Sequence, residues 1–345
     1  MTEKCKSMKP SISICVTTYN YARFLPDCVE SVLQQTFADW ELIVCDDCST
    51  DETQHLMEQY VDPRIRHVRN SERLGMSANL KLAADLGRGR YLKILCADDW
   101  IAPRCLERMF ELMEANPKVV LGTSAEIATN AAGRPFAVQF LFGRPLSVIP
   151  GQEMLDRMAH GHGFGGNSSF FVRVSAHRAV GGYDADLLYA GDYDLGARLC
   201  QIGDYLHTDE PLFYGRHHSA SSSSVNPARL YDVKDYFFIP AKVFQPRPFG
   251  SRNWFRFQWL TGALTSRCLT NMALRWLRGH RSYASGLARI LRDKGNFPLG
   301  LLLLPFHCLR RLFNRMSGRH LPRRSAPDPW MGRPQTGSAT IWYET

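Results

Sequence analysis

Apolar and polar positions follow two alternating periods along the first hundred residues. Ile12 to Thr17 is a short apolar run of strand character. After Thr18-Tyr19-Asn20 the spacing lengthens to that of a helix, with Pro26 opening a stretch in which Val29, Val32 and Leu33 recur. Trp40 to Cys45 is a second apolar run, and it stops at Asp46-Asp47. Ser49 and Glu52 then have the spacing of a capping box, which predicts a helix from Thr50 to about Tyr60. Ile65 to Arg69 reads as a third strand, Gly75 to Leu86 as a helix, and Tyr91 to Ala97 as a strand ending at Asp98-Asp99. Pro103 opens the next helical pattern. This alternation predicts an α/β fold with a mainly parallel sheet and helices on both faces.

The strand-end acids carry the first chemical information. Two carboxylates at the carboxyl end of a buried strand cost desolvation energy unless a partner sits there. That end of an open α/β sheet is also where ligands bind. Hard oxygen ligands of this kind suit Mg²⁺ or Mn²⁺ bridging to substrate phosphates. An aspartate capping the following helix is the plainer alternative, and Asp98-Asp99 alone leaves both open.

The order of motifs resembles the family 2 glycosyltransferases. The matching stretches are Val16 to Asn20, Cys45 to Asp51, Asn70 to Asn79, Ala97-Asp98-Asp99, and Gly191-Asp192-Tyr193-Asp194-Leu195 with Arg198. The resemblance implies a GT-A fold and an inverting, nucleotide-sugar-dependent reaction. It implies that Thr17 and Tyr19 line the nucleotide site, Tyr19 lying against the base. Asp46 or Asp47, with Asp47 favoured, would accept a hydrogen bond from a uracil-like N–H of a UDP-linked donor. It also places Asp98 near the ribose and Asp99 on a Mn²⁺ or Mg²⁺ ion. Arg73 is either a nucleotide contact or a solvated surface charge.

The same resemblance makes Asp192 the general base that activates the acceptor hydroxyl, with Asp194 as its rival. Gly191 stands where a Glu is usual; losing that like charge favours, other things equal, the ionised form of Asp192. His218, in Arg216-His217-His218, is a candidate metal ligand, and Ser219 to Ser224 has the composition of a mobile lid. In two further places the chain departs from the family pattern. Cys48 stands where Gly is commoner, and Cys96 stands where many members have a further Asp, which leaves Asp99 as the main metal contact.

Charge divides the chain. Residues 1–245 carry 25 Lys and Arg against 30 Asp and Glu, whereas residues 246–345 carry 17 against 3, a net of +14. The boundary near Pro246-Arg247-Pro248 gives three parts: a catalytic domain over 1–245, a basic helical extension over 246–316 and a poorly ordered tail over 317–345. Trp254 to about Arg292 reads as one or two helices, and Phe297 to Leu309 as a short apolar run. Basic charge beside an apolar run suits an anionic membrane surface better than nucleic acid, which is not expected as a partner. Packing of the extension on the catalytic domain is the alternative. A membrane surface also suits a lipid-linked glycan acceptor, common in the family the chain resembles, and cell-surface polysaccharide synthesis.

Composition adds bounds. The 45% apolar content supports an ordinary core for 345 residues, and no stretch reaches the length of a membrane span. Ten scattered cysteines without a signal peptide point to the cytoplasm, with peripheral attachment to the cytoplasmic face of the membrane as the companion expectation. Cys45-x-x-Cys48 brackets the first acidic pair and has no second CxxC to complete a zinc site. Two other functions remain on the table. A nucleotidyltransferase making nucleotide sugars should have a Gly-rich phosphate loop where Thr17 to Tyr21 stands, and a non-catalytic sugar-nucleotide binder has no need of Asp99 and Asp192.

Overall fold

The structure is a computed structural model that describes residues 9–160, 163–221, 230–244, 248–277, 279, 281–305 and 323–324. Strands β1 (Ile12–Thr18), β2 (Trp40–Asp46), β3 (Ile65–Arg69) and β4 (Tyr91–Cys96) form a parallel block in the order β3-β2-β1-β4. Helices α1 (Leu25–Leu33), α2 (Thr53–Met57) and α3 (Met76–Asp85) fall between successive strands of this block. After β4 come the short β5 (Trp100–Ile101), α4 (Cys105–Ala115), β6 (Val119–Thr129), β7 (Pro135–Gln139), β8 (Leu146–Ile149) and α5 (Gly151–Ala159). Then follow β9 (Phe171–Arg173), α6 (Val174–Ala179), α7 (Gly191–Leu199) and the long β10 (Asp204–Arg216).

Strand β9 runs antiparallel between β4 and β6, and β10 runs parallel to β6. One sheet therefore joins the parallel block to the second half of the domain. Side chains of β1 and β2 alternate between its two faces, as a period of two requires. Ile14, Val16, Leu42 and Val44 pack with α1 and α4, while Cys15, Ile43 and Cys45 pack with α3, α5 and α7. Both faces are covered by helices, which is the α/β arrangement the pattern predicts.

Helices α8 (Tyr231–Phe244), α9 (Arg252–Leu277) and α10 (Arg281–Lys294) follow, with further helix over 297–305. Ile239, Val243 and Phe244 of α8 and Leu260 of α9 are buried in the same core as α5 and α7. Arg256 of α9, only 4% exposed, places its Nε 2.7 Å from Asp156 Oδ1 on α5. The basic helices are thus docked on the catalytic domain. Of the predicted apolar run, residues 306–309 lie outside the described residues. In the tail, Arg323–Arg324 (β11) pairs with β7, and the rest lies outside the described residues.

The predicted helix at Thr50 is shorter than its capping box suggests. Helix α2 begins at Thr53, and Asp51 Oδ1 accepts the Thr53 N–H at 3.1 Å. Ser49 Oγ is already engaged, accepting the backbone N–H of Asn20 at 2.9 Å, so it is not the cap. A loop contact between two strand ends has displaced a local helix signal.

Candidate active site

Register brings the motifs together. Thr17 on β1 is paired with Cys45 on β2 and with Cys96 on β4, so the loops leaving all three strands open at one end of the sheet. The loops after β1 and β2 are laced to each other, the Thr50 N–H donating to Asn20 Oδ1 at 2.8 Å. Asn20 and Cys48 both adopt left-handed backbone, with φ of 56° and 61°. That conformation is familiar for Asn and strained for Cys, which accounts for glycine being the easier residue at position 48.

Asp46 and Asp47 are 0% and 2% exposed; Asp46 is engaged by its own loop and Asp47 by the loop after β3. Asp46 Oδ1 accepts the Ser49 N–H at 2.9 Å. Asp47 accepts the backbone N–H groups of Leu74 and Gly75 at 2.7 and 2.9 Å, and Asn70 Nδ2 at 3.1 Å. Asn79 completes the lacing, its Nδ2 donating to Cys45 O at 2.9 Å. Asp47 therefore holds the loop that carries Arg73. The Arg73 guanidinium lies over the Tyr19 ring, 4.0 Å from its centroid. Arg73 is exposed and stands beside Tyr19 at the rim of the strand ends.

The second acidic pair is held differently. Asp99 Oδ1 accepts the Arg216 N–H at 2.8 Å and Oδ2 accepts the Ser168 hydroxyl at 2.5 Å. Burial, followed by the neighbouring Asp98 charge, pushes its carboxyl pKa well above the usual value. Asp98 Oδ2 lies 3.0 Å from His218 Nε2. Arg216 is locked behind the pair rather than offered to a ligand. Its guanidinium pairs with Asp27 at 2.6 Å, donates to Asp98 O at 2.9 Å and lies over the rings of Phe24 and Trp100.

Metal-ligating atoms cluster at one place among the described residues: Cys96, Asp98 and Asp99 each place one such atom within 4.8 Å of the others. Two carboxylates and a thiol, with Ser168, Arg216 and His218 bonded behind them, fit a divalent cation. His218, expected as a ligand, stands behind Asp98 as its hydrogen-bond partner and is not in the cluster. Cys96 joins the two acids in this cluster, whereas in sequence a cysteine replacing an acid reads as a loss. Burial, then Asp99 and Asp98, raise the pKa of its thiol, with a smaller contribution from Asp192.

Asp192 lies in the first turn of α7. Burial raises its carboxyl pKa to about 6, partly offset by the backbone N–H of Tyr193 at 2.8 Å. Removal of the usual acidic neighbour does not leave an easily ionised carboxylate here, because desolvation outweighs the relief. Asp194 is a different kind of residue. It is 0% exposed and lies 2.5 Å from Arg198 and 3.0 Å from Lys242 on α8, a buried clamp between helices. Ahead of Asp192, Asp235 of α8 accepts the N–H groups of Tyr189 and Ala190 at 2.7 and 3.0 Å. Helix α8 thereby fixes the turn that presents Asp192. Of the proposed lid, Ala220 accepts the Tyr21 hydroxyl at 3.2 Å, while residues 222–224 lie outside the described residues.

Residues 13–181 match the family described as Glycosyl transferase family 2. The chain is 37% identical over 107 residues to the putative teichuronic acid biosynthesis glycosyltransferase TuaG of Bacillus subtilis, covering 30% of this chain and 42% of the relative. It is 34% identical over 120 residues to the UDP-Glc:alpha-D-GlcNAc-diphosphoundecaprenol beta-1,3-glucosyltransferase WfgD of Escherichia coli, covering 34% and 47%. The chain thus spans about half the length of these curated relatives. Among solved structures, residues 1–349 of S. aureus TarS in complex with UDP are similar at a TM-score of 0.57 and 17% identity, covering 75% of this chain and 71% of that one. At that identity the likeness speaks to the fold. Motifs, sheet order and family match converge: this chain carries a family 2 glycosyltransferase domain on a GT-A fold.

Proposed function

We propose that this protein is an inverting glycosyltransferase of cell-surface polysaccharide synthesis, moving a sugar from a UDP-linked donor to a glycan or lipid-linked acceptor. The observation that carries the reading is Asp192. It is a carboxylate in the first turn of α7, its pKa raised to about 6 by burial, with no ion pair to it among the described residues. A group with that value is ionised at neutral pH yet basic enough to take a proton from a hydroxyl in the transition state. The names of TuaG and WfgD support the polysaccharide and lipid-linked parts of the proposal, and the UDP of the TarS complex supports the donor.

Each residue then has a task. Tyr19 supports the base and Arg73 borders it, while Asp47 holds the Arg73 loop and accepts the base N–H. Thr17 lines the floor between the strand ends, and Asp46 closes the loop beneath Asp47. Asp98 faces the ribose. Asp99, with Asp98 beside it, would hold Mn²⁺ or Mg²⁺, with His218 orienting Asp98 from behind. When bound, the ion supplies charge neutralisation for the departing diphosphate. Asp192 orients the acceptor hydroxyl and takes its proton on a carboxylate oxygen as the new glycosidic bond forms. Attack opposite the leaving group inverts the anomeric centre.

The membrane-facing part of the proposal rests on the extension. Trp276 and Leu277 on α9 are 59% and 73% exposed, and Leu301 and Leu302 are 57% and 66% exposed, within a segment of net +14. Between α9 and α10, Met272, Trp276, Leu277 and Ala284 line an apolar cleft of about 630 Å³ edged by Arg281. No helix among the described residues is long and apolar enough to cross a membrane, so attachment would be at the surface. The function is tested by incubating the protein with UDP-sugars, Mn²⁺ and lipid-linked acceptors. Acceptor-dependent UDP release supports it, and donor binding without any transfer would favour the non-catalytic binder.

A further inference from the structure

We propose that Cys96 supplies a sulfur ligand to the divalent ion of the donor site, which rests on the metal reading above and narrows it to thiophilic ions. A site of Asp98 and Asp99 alone would offer only hard oxygen and would take Mg²⁺ readily. The cluster in this chain is mixed, its thiol within 4.8 Å of both carboxylate donors. The backbone that carries the sulfur is also held. Cys96 N–H donates to Ser168 Oγ at 3.0 Å, and the same hydroxyl donates to Asp99 Oδ2 at 2.5 Å. One serine thus fixes the backbone of the sulfur donor and the carboxylate of the oxygen donor. Ser168 is itself anchored from the interior, its carbonyl accepting the ammonium of the buried Lys93. Outer partners of this kind orient ligands and are costly to lose.

Access separates Cys96 from most of its kind. Of the eight described cysteines, six are buried, and only Cys48 and Cys96 are partly exposed. Cys48 sits in the loop after β2, where its Sγ faces the Ser71 carbonyl. Soft thiolate donors favour ions later in the first row, so the expected order at this site is Co²⁺ and Zn²⁺ above Mn²⁺, with Mg²⁺ last. Coordination exchanges the S–H bond of Cys96 for a sulfur–metal bond, and the displaced proton passes to solvent.

Cobalt titration of the full-length protein tests this without relying on turnover. Bound Co²⁺ is counted by equilibrium dialysis, and a sulfur-to-cobalt charge-transfer band is sought in the near ultraviolet. The band should appear at one ion per chain and vanish in Cys96→Ser. That variant should bind Mn²⁺ at least about tenfold more weakly, the lower end for losing even an outer partner. Cys96→Asp should lack the band yet recover Mn²⁺ binding and gain affinity for Mg²⁺, which separates ligand loss from misfolding. Cobalt that is bound and is released by Asp99→Asn, but shows no sulfur band, would overturn the proposal and leave the metal reading standing. No bound cobalt at all would overturn both.

Discussion

Lys242 Nζ lies 3.0 Å from Asp194 Oδ1, tying the helix after the catalytic strands to the helix that presents Asp192. Arg198 holds the other side of the same carboxylate at 2.5 Å. Asp194 is thus a structural acid, whereas Asp192, two residues before it, is the acid that the proposed function assigns to chemistry. Removing Asp194 leaves Arg198 without a carboxylate in a largely buried place, which costs roughly 3–5 kcal/mol, while Lys242 keeps Asp184. Asp194→Ala should therefore lower the urea midpoint sharply, whereas Asp192→Ala should not.

Asp192 makes the opposite prediction for stability. Its folded pKa, about 6, lies above that of an ordinary aspartate. Below about pH 3 both folded and unfolded forms are protonated and the residue costs nothing. Between about pH 4 and 6 the unfolded form is ionised while the folded form keeps its proton, so the folded state loses stability across that window, up to about 3 kcal/mol above it. Asp192→Asn should accordingly be more stable than wild type at pH 8 and nearly indistinguishable at about pH 3, read by thermal melts at both values. The wild-type kcat should fall with an apparent pKa near 6 on the acid side, because the protonated carboxyl cannot accept the hydroxyl proton.

Much of this was legible in the chain. Strands β1 to β4 and helices α1, α3 and α4 follow from periodicity that is local, and the acidic pairs stand out because each interrupts an apolar run. What the sequence could not reveal is non-local. The pairing of β6 with β10 joins residues some eighty positions apart with irregular register at Pro211, and no local period encodes it. Ser49 was a convincing cap until Asn20, from another strand's loop, took its hydroxyl. Asp46 and Asp47 looked alike in sequence, and only their partners show that Asp47 carries the Arg73 loop. The docking of α9 through Arg256 and Asp156 likewise depends on residues a hundred positions apart.

Ser168 gives a prediction for the donor site. Its hydroxyl is the only side chain bonded to both Cys96 and Asp99 among the described residues. Ser168→Ala keeps the fold's apolar packing and removes that bridge. Mn²⁺ affinity, measured by calorimetry, should fall about 10–100-fold, as loss of outer-ligand partners does. An unchanged affinity would mean the bridge does not orient the ligands.

Attachment to membranes can be tested without truncation, which the docked α9 makes unsafe. Trp276→Ser with Leu277→Ser removes two exposed side chains and leaves the core alone. Burying each contributes roughly 1.5 kcal/mol or more, so binding to anionic liposomes should weaken at least tenfold. High salt should weaken wild-type binding as well, since the Arg contribution is screened. Full-length protein that ignores anionic liposomes at low salt would assign these helices to packing alone.

The most direct test of the central claim is the turnover of Asp192→Asn at saturating donor, with the anomeric configuration of the wild-type product read by NMR. The account predicts donor affinity close to wild type, kcat lowered by about 10²–10⁴-fold, and an inverted product. A variant that still turns over at the wild-type rate, or a product that retains the donor's configuration, would contradict it.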